Sequence, residues 1–299
     1  MFRNVVASII HHVGSAGPFM SNGPGKPCLI NTCYEIITSM TGSRVLRKLR
    51  AGDFVTVAGV SRVTDPWLSE VIGRVGYDLV WLDLEHRSFG METVAPLSLA
   101  CRATGMDLMV RLCKTGYHSP MQALEFGANG IMVPHNRSAA EARQWVEWVR
   151  FPPLGKRGMD GAGTDADYGL ADPHEYLRHA NEEVFLALQV EDREAVESIE
   201  EIAAVEGFDL LFVGPGDLSL SYGVPMAFDH PVLLKAFERV ARAARDHGKW
   251  WGTTTATPQD AQRAIDLGAR MITVGGDHGF LVSGFKQAFS DFSSVSIRN

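Results

Sequence analysis

The chain has 299 residues, of which 45% are hydrophobic, and this length fits one large globular domain or two ordinary ones. Its formal net charge is −7 and it has no basic run, so neither nucleic acid nor an anionic membrane is an expected partner. No apolar stretch approaches the length of a membrane span, and the cysteines lack zinc-ligand spacing, which predicts free thiols in a reducing cytoplasm.

The first 43 residues are predicted to lie outside the main fold. Residues 14–43 carry Gly, Pro, Ser and Asn without a period, as in the runs at 14–18 and 21–25. We therefore expect a flexible N-terminal lead-in over residues 1–43, followed by a single domain over residues 44–299.

From residue 44 onward, short apolar runs typical of buried strands alternate with amphipathic helical patterns. Strands are predicted at 54–60, 79–84, 107–112, 130–134, 184–190, 209–213, 250–255 and 270–274. Helices are predicted at 66–76, 92–104, 118–127, 138–150, 194–205, 230–247, 258–267 and 281–292. The long connection at 151–183 contains a further short helix at 173–181, and a connection of this length usually carries function.

This alternation of strands and helices predicts a (β/α)8 TIM barrel. Continuously apolar strands are buried on both faces, as in parallel sheets, and about 250 residues are typical of eight strand–helix units. A doubly wound open sheet is the alternative. It would favour a glycine-rich turn after the first strand, where this chain has the polar segment 61–65.

Two neighbouring predicted strands are each followed by an acidic residue. Strand five leads to Glu191 and strand six to Asp217, so both side chains face one mouth if these strands are parallel neighbours. Repulsion between them would raise the pKa of one carboxyl, and a divalent cation removes that cost. Oxygen ligands without a cysteine cluster predict Mg²⁺ or Mn²⁺, with Co²⁺ as a further candidate. The alternative is that each carboxylate caps the turn or helix that follows it.

Charged side chains also follow strands two and three. Arg111 ends strand three, and a buried Arg needs an anionic partner, which is either Asp83 or Glu85 or a developing enolate. His86 lies beside these carboxylates and is a candidate general base, with Asp83 placed to orient it or to contact metal-bound water.

The turn at 214–217 brings backbone N–H groups next to the second carboxylate. Such a turn can approach an anion closely, which suggests a site for the carboxylate of a 2-oxo acid that chelates the metal. His135 and His278 also lie at strand ends, but we expect neither to be a metal ligand.

In their order and spacing, these motifs resemble those of the HpcH/HpaI family of metal-dependent, class II pyruvate aldolases, such as the 2-dehydro-3-deoxyglucarate and 4-hydroxy-2-oxoheptanedioate aldolases. The resemblance covers about residues 44–292. The motifs that carry it are Asp83-Leu84-Glu85-His86, Val110-Arg111, Val133-Pro134, the segment 151–158, Gln189-Val190-Glu191 and the segment 214–219.

The resemblance implies how the metal and pyruvate are held. Glu191 and Asp217 are the expected metal ligands, and Gln189 contacts the region of the metal-bound substrate. The amides of Gly216 and Asp217 form the expected pyruvate carboxylate site, which the backbone near Thr254 closes.

The same resemblance implies the acid–base and supporting residues. Arg111 is the expected enolate-stabilising cation, and His86 with Asp83 is the acid–base group. Glu125 and Glu85 are expected to support the site without touching the substrate, Glu125 from near a subunit boundary.

The reaction implied is reversible cleavage of a 4-hydroxy-2-oxo acid, of the 2-keto-3-deoxy sugar acid type, to pyruvate and an aldehyde through a metal-stabilised enolate. Two departures from the family pattern leave the aldehyde open. Residues 159–165 replace an Arg-Ala pair of the family, and strand seven ends in Thr253, Thr254 and Thr255 where the family is apolar.

The resemblance also implies a trimer-based hexamer in which the last helix docks on a neighbouring subunit. An apolar stripe at helical spacing would suit such docking, although an ordinary barrel helix carries the same pattern. Its members are Leu281, Phe285, Phe289 and Phe292.

Four rival functions remain. A Schiff-base aldolase would use Lys114, because Lys249 precedes strand seven and faces the other end. A metal-dependent oxaloacetate decarboxylase or a citrate-lyase-type acyl lyase would use the same barrel and metal, the latter with a basic coenzyme A surface that the sequence lacks. A catalytically silent barrel used for assembly or ligand sensing is the non-enzymatic alternative, supported by the altered segment 159–165.

Overall fold

The computed structural model of the protein describes residues 42–293 and residue 295. The lead-in predicted over residues 1–43 lies outside the described residues, except for Gly42 and Ser43. Ser43 is buried and its hydroxyl accepts a hydrogen bond from the Leu46 N–H, so it caps the first helix. No helix in the described part of the chain combines the length and apolar character that a bilayer span needs.

Eight parallel strands close into a barrel, in which each strand pairs with the next along the chain and the eighth with the first. They are β1 (Val55–Val60), β2 (Leu79–Asp83), β3 (Asp107–Arg111), β4 (Gly130–Val133), β5 (Phe185–Val190), β6 (Leu210–Val213), β7 (Trp250–Thr254) and β8 (Met271–Gly276). This closure confirms the predicted (β/α)8 TIM barrel and excludes the open doubly wound sheet.

Most of the α-helices return the chain from one strand to the start of the next, while the first precedes β1 and the last follows β8. They are α1 (Arg44–Arg50), α2 (Pro66–Val75), α3 (Val94–Ala103), α4 (His118–Glu125), α5 (Ala139–Val149), α6 (Pro173–Glu183), α7 (Arg193–Glu197), α8 (Ile199–Ala203), α9 (Pro215–Ser221), α10 (Pro231–Asp246), α11 (Pro258–Asp266) and α12 (Asp277–Phe292). Short 3₁₀ helices lie at Met91–Thr93 and Thr164–Gly169.

The helices differ from the predicted ones in three places. The helix predicted at 194–205 is divided into α7 and α8 at Ser198, whose φ of −104° and ψ of 14° are not helical. Helices α1 and α9 were not predicted. α9 begins with Pro215 at its first position, which is favourable because proline lacks only an N–H that the helix start leaves free.

α1 closes the amino end of the barrel. Its buried side chains Val45, Leu46 and Leu49 pack in one cluster with the inward-facing residues of the strands. Asp107, at the start of β3, accepts hydrogen bonds from the Ser43 Oγ at 2.6 Å and from the Val45 N–H at 2.9 Å. α1 therefore covers the amino ends of the strands. The carboxyl ends remain open to solvent, and this is the end at which TIM-barrel enzymes have their active sites.

The long connection at 151–183 is folded against the barrel, and α6 confirms the predicted short helix within it. The guanidinium of Arg150, itself buried, donates to the carbonyls of Asn181, Val184 and Gly207. These bonds tie both ends of the connection to the strand starts.

Candidate active site

Glu191 follows the last residue of β5 and is 2% exposed. Its Oε1 accepts a hydrogen bond of 2.9 Å from the Gln189 amide, and its Oε2 accepts one of 3.3 Å from the His135 N–H. Gly214 directly follows the neighbouring β6, and a methyl group at this position would overlap the Glu191 carboxylate. The glycine therefore provides the space that this carboxylate occupies.

Asp217 lies in the first turn of α9, directly after β6, and is half-buried. His135, Glu191 and Asp217 each place one ligand atom within 4.8 Å of the other two. The structure therefore brings together the two carboxylates that the sequence placed at neighbouring strand ends. It also brings His135 to the same place, although this histidine was not expected to be a metal ligand.

The pKa of Glu191 is raised to about 7, chiefly because burial disfavours its charged form. His135 and Arg111 lower this pKa, and the nearby charge of Asp217 raises it. A buried carboxylate in this state gains a great deal from a cation at contact distance. Two carboxylates and an imidazole form a donor set that fits a divalent metal ion.

Arg111, the last residue of β3, is 7% exposed and is held on several sides. Its Nε and Nη2 each lie 2.9 Å from one oxygen of Asp83, and its Nη1 lies 3.1 Å from Glu85 Oε2. Its guanidinium also lies 5.0 Å from the Trp81 ring. Arg111 thus has the anionic partners that its burial requires and points its Nη1 toward Gln189, at 3.5 Å.

Both carboxylate oxygens of Asp83 bind the guanidinium of Arg111. Burial opposes its ionisation, but the Arg111 hydrogen bonds outweigh this effect and hold the pKa of Asp83 below its usual range. The ring of His86 is exposed, and its Nε2 lies 3.6 Å from Glu85 Oε2. The His86 ring therefore pairs with Glu85, and not with Asp83 as predicted from the sequence.

The predicted substrate-binding residues Gly216 and Thr254 lie at the carboxyl ends of β6 and β7. Gly216 lies in the first turn of α9, with open space where a side chain would be. Thr254 ends β7 and lines a largely apolar cavity of about 600 Å³ between α10 and α11. The hydroxyl of the adjacent Thr253 is buried and donates to the Val213 carbonyl at 2.9 Å, which ties β7 to β6.

Two other predicted residues lie in different surroundings. Glu125 ends α4, the helix that leads to the amino end of β4, and the charges around it belong to Arg157, Asp160 and Asp165. The structure thus places Glu125 toward the opposite end of the barrel from Glu191. Lys114 is partly exposed and pairs with Glu141 at 3.2 Å, so it lacks the dry pocket that Schiff-base chemistry needs.

Sequence reasoning missed the arrangement around His135. This residue lies two positions after β4 and has a φ of 47°, in the left-handed region. Its Nδ1 lies 3.1 Å from Asp192 Oδ2, and Arg137 binds the same carboxylate at 3.0 Å. The available signal was a histidine at a strand end. Its side-chain direction depends on the backbone turn, which the sequence does not reveal.

Comparison with known proteins assigns the family. The profile of the HpcH/HpaI aldolase/citrate lyase family matches residues 61–283. The chain belongs to this family. The chain is 32% identical to a 2-keto-3-deoxy-L-rhamnonate aldolase of Salmonella gallinarum over 248 residues, which cover 83% of this chain and 92% of the relative.

Two further relatives agree with this assignment. A 5-keto-4-deoxy-D-glucarate aldolase of Klebsiella pneumoniae is 30% identical over 217 residues, covering 73% of this chain and 84% of that enzyme. The crystal structure of an HpcH/HpaI aldolase from Desulfitobacterium hafniense superimposes with a TM-score of 0.81 at 29% identity, covering 85% of this chain and 98% of the other. The predicted family, and with it the prediction of a carbon–carbon lyase, is confirmed.

Proposed function

We propose that the protein catalyses the divalent-metal-dependent, reversible aldol cleavage of a 4-hydroxy-2-oxo acid to pyruvate and an aldehyde. The observation that carries this proposal is the convergence of the Glu191 and Asp217 carboxylates, with ligand atoms within 4.8 Å of each other and of a His135 nitrogen. Arg111, whose Nη1 points toward Gln189 beside this cluster, provides a second positive group.

Glu191 and Asp217 would hold the cation, Mg²⁺, Mn²⁺ or Co²⁺, and leave coordination positions for the keto and carboxylate oxygens of the substrate. When bound, the cation supplies a Lewis acid that stabilises negative charge on the enolate of pyruvate. Gln189, whose amide bonds to Glu191 at 2.9 Å, keeps that carboxylate in place.

Arg111 stabilises the enolate oxygen in this proposal. Asp83 and Glu85 fix its guanidinium before the substrate arrives, so no reorganisation is needed during the reaction. A fixed donor of this kind is worth about 3 kcal/mol of transition-state stabilisation.

His86 moves the proton between the enolate and the methyl group of pyruvate, and serves the aldol hydroxyl. Glu85 orients its ring, since the two side chains lie 3.6 Å apart. This assignment replaces Asp83 by Glu85 as the partner of the base, because Asp83 makes a two-point contact with Arg111. An exposed imidazole that can reach both substrate and solvent is suited to this task.

The substrate carboxylate binds at the amides of Gly216 and Asp217. These amides belong to the first turn of α9, which leaves N–H groups without partners inside the helix. Thr254 closes this side of the site. The relatives named above act on 2-keto-3-deoxy-L-rhamnonate and 5-keto-4-deoxy-D-glucarate, which favours a deoxy sugar acid as the substrate.

We further propose that the enzyme is a cytoplasmic homo-oligomer, a trimer-based hexamer, in which α12 docks on a neighbouring subunit. Phe285 and Phe289 of α12 are 73% and 80% exposed, so the helix does not pack its apolar stripe against its own barrel. Exposed aromatic side chains in such a row are typical of a contact surface.

Exchange of the pyruvate methyl protons with deuterium tests the proposal without knowledge of the aldehyde. In D₂O, the wild-type protein with Mn²⁺ should deuterate the methyl group, because a methyl proton is lost to the solvent and the enolate then takes up a deuteron. EDTA should stop the exchange, and the Asp217→Ala variant should lack it. Exchange that persists in EDTA, or no exchange with any of Mg²⁺, Mn²⁺ and Co²⁺, would contradict the proposed function.

A further inference from the structure

We propose that His135 is a third metal ligand, so that the site of this protein is a His–Glu–Asp triad rather than a pair of carboxylates. The inference rests on the proposed function, because it concerns the same metal site. A ring nitrogen of His135 lies within 4.8 Å of a carboxylate oxygen of both Glu191 and Asp217, a spacing at which one ion can contact all three.

The backbone of His135 is fixed in an unfavourable conformation. Its φ of 47° lies in the left-handed region, which costs a non-glycine residue free energy and is common at functional sites. Two hydrogen bonds hold it there. The His135 N–H donates to Glu191 Oε2 at 3.3 Å, and the His135 carbonyl accepts from Lys114 Nζ at 2.5 Å.

Lys114 is itself anchored by Glu141, which lies 3.2 Å from its Nζ. The Oε2 of Glu141 also accepts the Arg137 N–H at 2.9 Å, two residues beyond His135. These contacts hold the turn after β4 in the conformation that directs the imidazole toward the carboxylates.

The ring of His135 is oriented by a carboxylate. Nδ1 lies 3.1 Å from Asp192 Oδ2, and an ionised carboxylate only accepts hydrogen bonds, so Nδ1 carries the proton. Nδ1 also lies 3.9 Å from Glu191 Oε2. The nitrogen left to take a metal is Nε2, which keeps its lone pair. Asp192 is held in turn by the guanidinium of Arg137, with Nε 3.0 Å from Oδ2 and Nη2 3.0 Å from Oδ1. A carboxylate–histidine pair of this kind typically supports metal ligands.

An imidazole ligand changes which ions the site prefers. Nitrogen ligands favour Co²⁺ and Mn²⁺ over Mg²⁺, which binds almost exclusively to oxygen. We therefore expect the ratio of Co²⁺ to Mg²⁺ affinity to be larger in the wild-type protein than in a variant without the imidazole.

Electron paramagnetic resonance of bound Mn²⁺ tests the inference independently of turnover. In the full-length wild-type protein, pulsed spectra should show ¹⁴N modulation from a coordinated imidazole. His135→Gln should abolish this modulation and weaken Mn²⁺ binding by at least about tenfold. Asp192→Asn, which leaves the ligands intact, should weaken binding by about tenfold through the ring orientation. His278→Gln is the matched control, since His278 is exposed at the same mouth, and it should leave both readouts unchanged.

The outcomes separate the inference from the proposed function. If the wild-type protein binds Mn²⁺ without ¹⁴N modulation and His135→Gln binds it equally well, His135 is not a ligand, while the carboxylate site and the aldolase proposal stand. If the wild-type protein binds no Mn²⁺, and no ion supports exchange of the pyruvate methyl protons, both are wrong.

Discussion

Gly214 provides the space in which the Glu191 carboxylate lies. A methyl group there would overlap Glu191 Oε1, whereas one at Gly216, two residues later, would meet nothing within 4 Å. The φ of Gly214 is −94°, so an alanine fits the backbone and its effect comes from the overlap alone. We expect Gly214→Ala to weaken Mn²⁺ binding by at least about tenfold, the loss typical when the support of a metal ligand is disturbed.

Isothermal titration with Mn²⁺ measures this effect, and Gly216→Ala is the matched control from the same turn. Equal affinities for the two variants would show that the position of Glu191 does not determine metal binding. Circular dichroism of both proteins checks that the barrel is folded.

Arg111 makes a two-point contact with Asp83 that a lysine cannot reproduce. Arg111→Lys keeps the charge but loses the fixed guanidinium, and we expect the rate of pyruvate methyl exchange at saturating pyruvate to fall about 10²–10³-fold. Mn²⁺ affinity should change little, because Arg111 is not among the proposed metal ligands.

Arg87→Lys provides the control, since the Arg87 guanidinium also approaches Asp83, at 3.6 Å, but makes a weaker contact. An Arg111→Lys protein that exchanges deuterium at the wild-type rate would remove Arg111 from the proposed mechanism.

Asp277 fastens the loop after β1 to the end of β8. Its carboxylate accepts hydrogen bonds from the N–H groups of Ser61, Arg62 and Val63. Burial opposes its ionisation, but these bonds outweigh it and hold the pKa of Asp277 below its usual range. A lowered folded-state pKa stabilises the fold above the unfolded-state pKa, and the contribution is lost as the pH falls through the folded-state value.

Asp277→Asn should therefore reduce the free energy of unfolding by about 2 kcal/mol at pH 7, because an amide oxygen replaces a charged acceptor. The difference from the wild-type protein should shrink as the pH falls below about 4, because the carboxyl of the unfolded chain takes up a proton there while the folded state still holds it ionised. Urea unfolding from pH 7 to pH 3 measures it, with the exposed Asp246→Asn as control. A difference that stays constant over this range would refute the electrostatic origin.

For the residues of the candidate site, the sequence predicted their place at the strand ends better than it predicted their side-chain contacts. The barrel pattern alone places Glu191, Asp217 and Arg111 at one rim, because strand ends fix where their side chains begin. The pairing of Glu85 with His86 depends on the loop after β2, and the orientation of His135 depends on a positive φ. Neither follows from residue spacing.

The strands and helices were also predicted unevenly, because some of them depend on tertiary contacts that the sequence pattern does not show. Strands were predicted well because a buried parallel strand is apolar throughout. The turn predicted at 214–217 is instead the start of α9, since Gly-Pro-Gly suggests a turn and the helix depends on Pro215 at its first position. α1 was not predicted because it is stabilised by packing against the amino end of the barrel, a tertiary contact that the sequence of a seven-residue segment does not reveal.

α12 supports a prediction about assembly. Phe285 and Phe289 lie one turn apart on its exposed stripe, so a Phe285→Asp, Phe289→Asp double variant should lose the proposed subunit contact. Sedimentation equilibrium should show a lower mass than for the wild-type protein, while the barrel remains folded. Ser290→Asp adds a charge to the same helix outside the stripe and should leave the mass unchanged. A monomeric wild-type protein would refute the hexamer.

At the scale of the whole molecule, the two ends of the barrel differ in character. One end is filled by α1 and by the buried Asp107, whose hydrogen bonds join that helix to β3. The other end gathers the carboxylates of Glu191 and Asp217, the guanidinium of Arg111 and two histidines. Membership of the family accounts for the fold and for lyase chemistry.

Binding of Mn²⁺, followed by the loss of the free-ion signal in electron paramagnetic resonance, tests the central claim most directly. The wild-type protein should bind one ion per chain, and pyruvate should alter the spectrum of the bound ion. Glu191→Gln and Asp217→Asn should each lower the affinity by at least about tenfold. A wild-type protein that binds no Mn²⁺, or two variants that bind it as tightly as the wild type, would contradict the claim that these carboxylates share a metal ion.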